Sequence, residues 1–244
     1  MELTILGNNG PYPAAGGACS GYLVTEGNCK ILIDCGNGVL SNLQRYVRLN
    51  ELDAIILTHL HSDHMSDMLV LRYAVKILRD SGRIDKSIDV YAPDEPVNDY
   101  DLLNIKDVFN LRTITPDLSL KFGNLSFAFK EMTHPFKCFA VSIENGTKKF
   151  VYSGDTSWNE NIISFSKEAD FLLLDAGLRT EDKKGDNVPH LTAAECGKVA
   201  ALAHAKRLML THFRPDYSVE NLKAEAFHHF KRVEASEILK TYGI

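Results

Sequence analysis

Residues 53–67 read Asp-Ala-Ile-Ile-Leu-Thr-His-Leu-His-Ser-Asp-His-Met-Ser-Asp. Three imidazoles and a carboxylate, His59, His61, Asp63 and His64, therefore fall within six residues. The apolar run before them, 53–57, reads as a buried strand. Residues 68–78 are mostly apolar, contain no Gly or Pro and read as a helix. A strand-to-helix junction points several side chains into one crevice at the carboxyl end of a sheet. Imidazole nitrogen and carboxylate oxygen are the ligands that zinc and similar divalent ions take. An incidental polar loop accounts for one histidine, not for four ligand-type residues behind a buried strand.

The rest of the chain alternates strand and helix signals. Strands are expected at 2–6, 19–25, 30–34, 88–92, 111–115, 118–122, 125–133, 138–143, 148–152, 170–175 and 206–212. In 125–133, Phe127 and Phe129 alternate with Ala128 and Lys130, so one face is packed. Asn145-Gly146 signals a hairpin. Helices are expected at 38–47, 159–167, 219–230 and 235–241, with 99–107 a short helix or loop. Residues 7–17 carry many Gly, Pro and Asn and form either a plain connection or the rim of a pocket. Residues 180–188 read as a mobile surface loop. Thr192 and Glu195 form a capping box that starts a helix near Ala193. His190 thus lies just ahead of a helix N-terminus, which attracts anions and lowers a histidine's pKa; the alternative is a surface histidine. Asp175 and His212 each close an apolar strand. Ile56-Leu57-Thr58-His59 and Met209-Leu210-Thr211-His212 are nearly the same tetrapeptide, in keeping with two equivalent halves. His228 and His229 are read as surface residues.

Composition narrows the classes. The 244 residues, 45% hydrophobic with a net charge of -5, can bury a large core, read as one domain over 1–244. Mild acidity argues against a dedicated nucleic-acid surface. No apolar run approaches the ~20 residues of a membrane span, and Met1–Leu6 lacks the basic start of a signal peptide. Five cysteines without a C-x-x-C pattern read as reduced thiols of a cytoplasmic protein.

The His59–His64 motif resembles the signature of the metallo-β-lactamase superfamily, in its two-metal form. Leu32-Ile33-Asp34-Cys35-Gly36, Thr133-His134-Pro135 and Ser153-Gly154-Asp155-Thr156 resemble further motifs of that family, in its order. The resemblance implies an α/β fold, a four-layer αββα sandwich, and two divalent ions, zinc or manganese. One would be held by His59, His61 and His134 and the other by Asp63, His64 and His212, with Asp155 bridging and Asp34 supporting the metal loop through hydrogen bonds. It further implies that the ions share a hydroxide nucleophile. Asp63, His190 and Asp175 carry the catalytic assignments.

Within the superfamily, His190-Leu191-Thr192-Ala193-Ala194-Glu195 is similar to a segment of ribonuclease Z and its small phosphodiesterase relatives. Asp175 stands where that enzyme has a glutamate, and the histidine preceding it is missing. The 20 residues between His134 and Asp155 (155 − 134 − 1) leave no room for ribonuclease Z's tRNA-gripping arm. The expected activity is therefore phosphodiester hydrolysis, on a cyclic nucleotide or an RNA 3′-end. The alternatives are a thioester or lactam hydrolase, a ribonuclease Z-type tRNA endonuclease, and a non-enzymatic metal-binding protein. The partners expected are a small phosphodiester or RNA-end substrate and no membrane; a homodimer is compatible with the reading.

Overall fold

Sequence alternation in the first half builds one sheet. In the computed structural model, which describes residues 1–185 and 188–244, its strands are β1 (Glu2–Gly7), β2 (Gly21–Glu26), β3 (Cys29–Ile33), β4 (Ala54–Ile56), β5 (Ile88–Ala92) and β6 (Phe109–Thr113). The second sheet comprises β7 (Ser119–Phe122), β8 (Leu125–Glu131), β9 (Phe139–Glu144), β10 (Lys149–Tyr152), β11 (Phe171–Asp175), β12 (Leu208–Thr211) and β13 (Val233–Ala235). The last strand, β14 (Thr241–Gly243), returns to the first sheet beside β1. The strand orders are β14-β1-β2-β3-β4-β5-β6 and β13-β12-β11-β10-β9-β8-β7.

The helices are α1 (Val39–Leu43), α2 (Ser62–Met65), α3 (Met68–Asp80), α4 (Val97–Asp101), α5 (Glu160–Phe165), α6 (Ala193–Leu202) and α7 (Val219–Phe227). Three apolar cores define the layers. Leu3, Ile5, Tyr22, Phe127, Phe139 and Phe150 pack between the sheets. Leu43, Met68, Leu71 and Val75 of α1 and α3 cover the outer face of the first sheet. Ile162, Cys196, Val199 and Leu222 of α5, α6 and α7 cover the second. The architecture is an αββα sandwich. Phe127 and Phe129 face inward and Ser126 and Ala128 outward, the period-2 pattern of a strand packed on one side.

Two expectations are corrected. Residues 235–241 are not a helix, because both sheets offer open edges there. Leu210 accepts from the Ser236 amide and Ile5 from the Leu239 amide, and a segment that short is a marginal helix on its own. Helix α1 ends at Leu43 instead of reaching Val47, giving way to turns and a single 3₁₀ turn at Leu49–Glu51. The expected loop at 180–188 begins with a 3₁₀ turn, Thr180–Asp182; its positions 186 and 187 lie outside the described residues. All five cysteines are buried and free. Among the described residues no helix is long and apolar enough to cross a membrane.

Asp170, just ahead of β11, ties the sheet to its neighbours. Its carboxylate accepts from the Lys149 amide at 2.9 Å and from Lys206 Nζ at 2.8 Å. Burial alone would raise this carboxyl, but the Lys206 and Lys149 hydrogen bonds outweigh it and hold the group below its usual value. A carboxyl lowered in the folded state contributes stability above its unfolded pKa and loses it as pH falls through the folded one. Lys206 is largely exposed, so the pair is screened. Asp170→Asn should cost about 1 kcal/mol near neutral pH. In urea unfolding the gap from the parent should narrow as pH falls below about 5 and go on narrowing through the folded pKa; a gap independent of pH would count against this role.

Candidate metal centre

The parallel strands bring their carboxyl ends to one edge, and the ligand-type residues gather there. His59 follows β4, and His61, Asp63 and His64 come from the turn that becomes α2. His134 follows β8, Asp155 follows β10, and His212 follows β12. The structure thus assembles all seven of these residues into two groups sharing Asp155. One is His59, His61, His134 and Asp155; the other is Asp63, His64, Asp155 and His212. Within each group the donor atoms lie within 4.8 Å of one another.

The spacings suit a shared cation better than direct hydrogen bonding. Asp155 Oδ2 lies 3.7 Å from His59 Nε2, 4.0 Å from His134 Nε2 and 3.3 Å from His212 Nε2. Its Oδ1 lies 3.3 Å from His64 Nε2. Zinc–ligand bonds of ~2.0–2.1 Å at tetrahedral angles separate neighbouring ligand atoms by about 3.4 Å. His64 Nε2, His134 Nε2 and Asp155 Oδ1 are buried without a hydrogen-bond partner. Orphaned lone pairs within these two donor groups are costly in a protein interior unless cations take them. The donor set fits divalent ions.

The opposite nitrogen is hydrogen-bonded in His64 and His134 and faces a carboxylate in His212. His64 Nδ1 lies 2.8 Å from Asp34 Oδ2, and the Thr58 amide donates to Asp34 Oδ1 at 2.8 Å. Tyr152 donates its hydroxyl to the same carboxylate. His134 Nδ1 sits 3.2 Å from the Phe136 carbonyl, and His212 Nδ1 sits 3.3 Å from Asp175 Oδ1. Such partners fix ring orientation and leave Nε2 for the ion. Asp34 and His212 adopt left-handed backbones, with φ of 56° and 61°. Non-glycine residues rarely accept this, and it is held here at two functional positions.

Charge balance points the same way. Asp34, Asp63, Asp155 and Asp175 are all buried in this cleft. Among the described residues they pair only with imidazoles, never with Lys or Arg. Burial lowers His59, His61 and His134, which favours the neutral form a metal binds. Burial also opposes charge on His64 and His212, but Asp155 and the neighbouring carboxylates overcome it and raise both. The carboxylates thus favour positive charge at these positions, which divalent ions would supply.

His190 and Asp175 form a third group with Asp155 and His212. His190 Nδ1 lies 2.9 Å from Asp175 Oδ2 and 3.8 Å from Asp155 Oδ2. Two expectations about His190 are corrected. Its imidazole is raised, not lowered: burial works against the charge, and the Asp175 carboxylate outweighs it. The helix end is not a free anion site either. The Ala193 amide donates to the Leu178 carbonyl, and the Glu195 amide to Thr192 Oγ1. Asp175 therefore pairs with His190 although the family's preceding histidine is missing. His228 and His229 are exposed and belong to none of these groups.

Two glycines here escaped sequence reading. A Cβ on Gly10 would fall 2.0 Å from His212 Nε2, and one on Gly177 would fall 3.1 Å from His190 Cγ. Gly10 must lack a side chain for His212 to sit where it does, whereas a Cβ at Gly177 would require Asp175 and His190 to give by a few tenths of an ångström. The loop 7–17 forms the rim of the site, tied down by the Phe213 amide donating to the Asn8 carbonyl and Gly10 to the Phe213 carbonyl. Glycine density was the available signal, without any indication of which glycine met a ligand. A separate cavity of about 430 Å³ near Val47, Leu49, Leu78 and Ile84 is lined by no ligand-type residue.

Residues 29–213 match the family model described as "Beta-lactamase superfamily domain". The chain is 35% identical over 227 residues to the probable metallo-hydrolase YhfI of Bacillus subtilis, covering 93% of this chain and 92% of that one. The crystal structure of YhfI, described as a metallo-beta-lactamase fold protein, superposes with a TM-score of 0.94 at 32% identity, covering 99% of this chain and 98% of that one. Ribonuclease Z of Brevibacillus brevis is 27% identical over 279 residues, covering 87% of this chain and 86% of that one.

Proposed function

The chain belongs to the beta-lactamase superfamily and is a metal-dependent hydrolase; on that premise we propose that it cleaves phosphodiesters. The observation that carries the reading is the His190–Asp175 pair at 2.9 Å, set beside two donor groups that share Asp155. A phosphodiester expels an alkoxide, which needs a proton. A thioester expels a thiolate, which does not. A proton donor held next to a two-ion site therefore favours the first over the second. Relatedness to a ribonuclease Z supports the same bond type.

When bound, the ions supply Lewis acidity, lowering the pKa of a water and drawing charge from phosphoryl oxygens. The protein's own groups do the rest. Asp155, common to both donor groups, would be shared between the two ions. Asp34 and Asp175 hold the His64 and His212 rings in register. His190, held by Asp175 through Nδ1, would deliver a proton to the leaving oxygen. We take zinc as the resident ion, with manganese the alternative, from the imidazole-rich donor set.

Substrate size follows from the same fold. The residues between His134 and Asp155 are consumed by β9, the Asn145-Gly146 turn and β10. No basic arm emerges there to bind the many phosphates of a folded tRNA. A small phosphodiester such as a cyclic nucleotide should have a kcat/KM at least about tenfold above that of precursor tRNA, at equal salt. The reverse order would transfer the function to RNA 3′-processing, and turnover of thioesters or lactams alone would refute the phosphodiester reading.

A further inference from the structure

Beside the two donor groups lies a cavity of about 400 Å³. Tyr12, Leu178 and Pro189 line it together with His190, His212 and Arg214. Its volume is within the ~300–1,000 Å³ of small-molecule sites. Tyr12 is 51% exposed, and the loop that carries it is pinned at its base. Asn9 Oδ1 accepts from the Ala14 amide, and Asn9 Nδ2 donates to the Phe213 carbonyl. A flat ring is thereby offered to the cavity from a fixed support.

Arg214 narrows the chemistry of the occupant. Its Nε and one terminal nitrogen donate to the Asp216 carboxylate at 3.1 and 2.8 Å. The other donates to the Tyr217 hydroxyl at 2.9 Å, with the guanidinium over the Tyr217 ring. Asp216 already balances its charge, so it is a weak anchor for a second phosphate. It remains a fixed, planar set of donors at the wall of the cavity. The occupant that fits is uncharged, flat and rich in acceptors.

We propose that this cavity is the subsite for the heteroaromatic base of a nucleotide ester, stacked on Tyr12, and that Tyr12 sets the preference for nucleotides over aliphatic phosphodiesters. The inference rests on the phosphodiester reading, which places the phosphate at the His190 and His212 side of the cavity. It explains why an exposed aromatic stands beside catalytic imidazoles: stacking is tolerant of base identity, because every base presents a π-face.

The test is calorimetric binding of adenosine 5′-monophosphate and ribose 5-phosphate to the zinc-loaded protein, for the parent, Tyr12→Ala and Tyr12→Phe. Tyr12→Ala should weaken adenosine 5′-monophosphate by about tenfold and leave ribose 5-phosphate unchanged, with Tyr12→Phe restoring the parent affinity. Equal loss for both ligands, or no loss for either, would overturn the subsite. Cyclic AMP turnover on the same preparations separates the two ideas. Turnover that ignores Tyr12 refutes the subsite and leaves the phosphodiesterase standing. Tyr12-dependent nucleotide binding without any phosphodiester turnover supports the subsite and refutes the proposed reaction.

Discussion

Asp155→Ala should lose paired metal and with it the hydrolytic activity. Asp155 is the one residue common to both donor groups, with Oδ2 facing His59, His134 and His212 and Oδ1 facing His64. Alanine removes the shared negative charge and leaves the histidines of each group without a common anion. Metal content by plasma mass spectrometry should fall from about two ions per chain to at most one. Because ions of this kind contribute several kcal/mol of transition-state stabilisation, kcat should drop by about 10³-fold or more. Circular dichroism guards against simple unfolding, and Asp155→Asn, which keeps the volume, should be impaired in the same direction. Full metal occupancy with unchanged kcat in Asp155→Ala would sink the two-ion reading.

His190→Ala should retain metal and turn over on the order of 10²-fold more slowly, the usual cost of losing a positioned proton donor. His190 is not in either of the two groups that hold His59 and His64, and its Nδ1 is taken by Asp175. The loss should depend on the leaving group. An ester of p-nitrophenol departs without a proton, so its hydrolysis should be far less sensitive to His190→Ala than that of a cyclic nucleotide. Equal losses on both would assign His190 to phosphate contact instead of proton transfer; no loss on either would remove it from the site. Asp175→Asn should combine the two phenotypes, since Asp175 also faces His212 Nδ1 at 3.3 Å. Slower turnover should come with weaker metal binding, about 10–100-fold when an outer hydrogen-bond partner of a ligand is lost.

What the sequence could reveal was local. A buried strand followed within seven residues by His59, His61, Asp63 and His64 carries both its conformation and its chemistry in contiguous residues, so the first part of the site was legible without a fold. The strand–Thr–His repeat at residues 56–59 and 209–212 announced that another strand end would face the first. Resemblance to a family supplied His134 and Asp155, which nothing in their own neighbourhoods distinguishes from ordinary strand-end residues.

Tertiary structure decided everything that depends on separation across the two sheets. Whether His190 is raised or lowered turned on the Asp175 carboxylate, 15 positions away in sequence and 2.9 Å away in space. The helix end that looked like an anion site is closed by the Leu178 carbonyl and the Thr192 hydroxyl. Residues 235–241 left the helical state because β1 and β12 offered open hydrogen-bonding edges. Gly10 is needed only because the ring of His212 comes to rest against its backbone. Periodicity, turn chemistry and ligand type are properties of a short stretch of chain and can be read from it. Proton affinity, steric clearance and the filling of sheet edges depend on which distant groups end up within a few ångströms, and only the packed sandwich settles those distances.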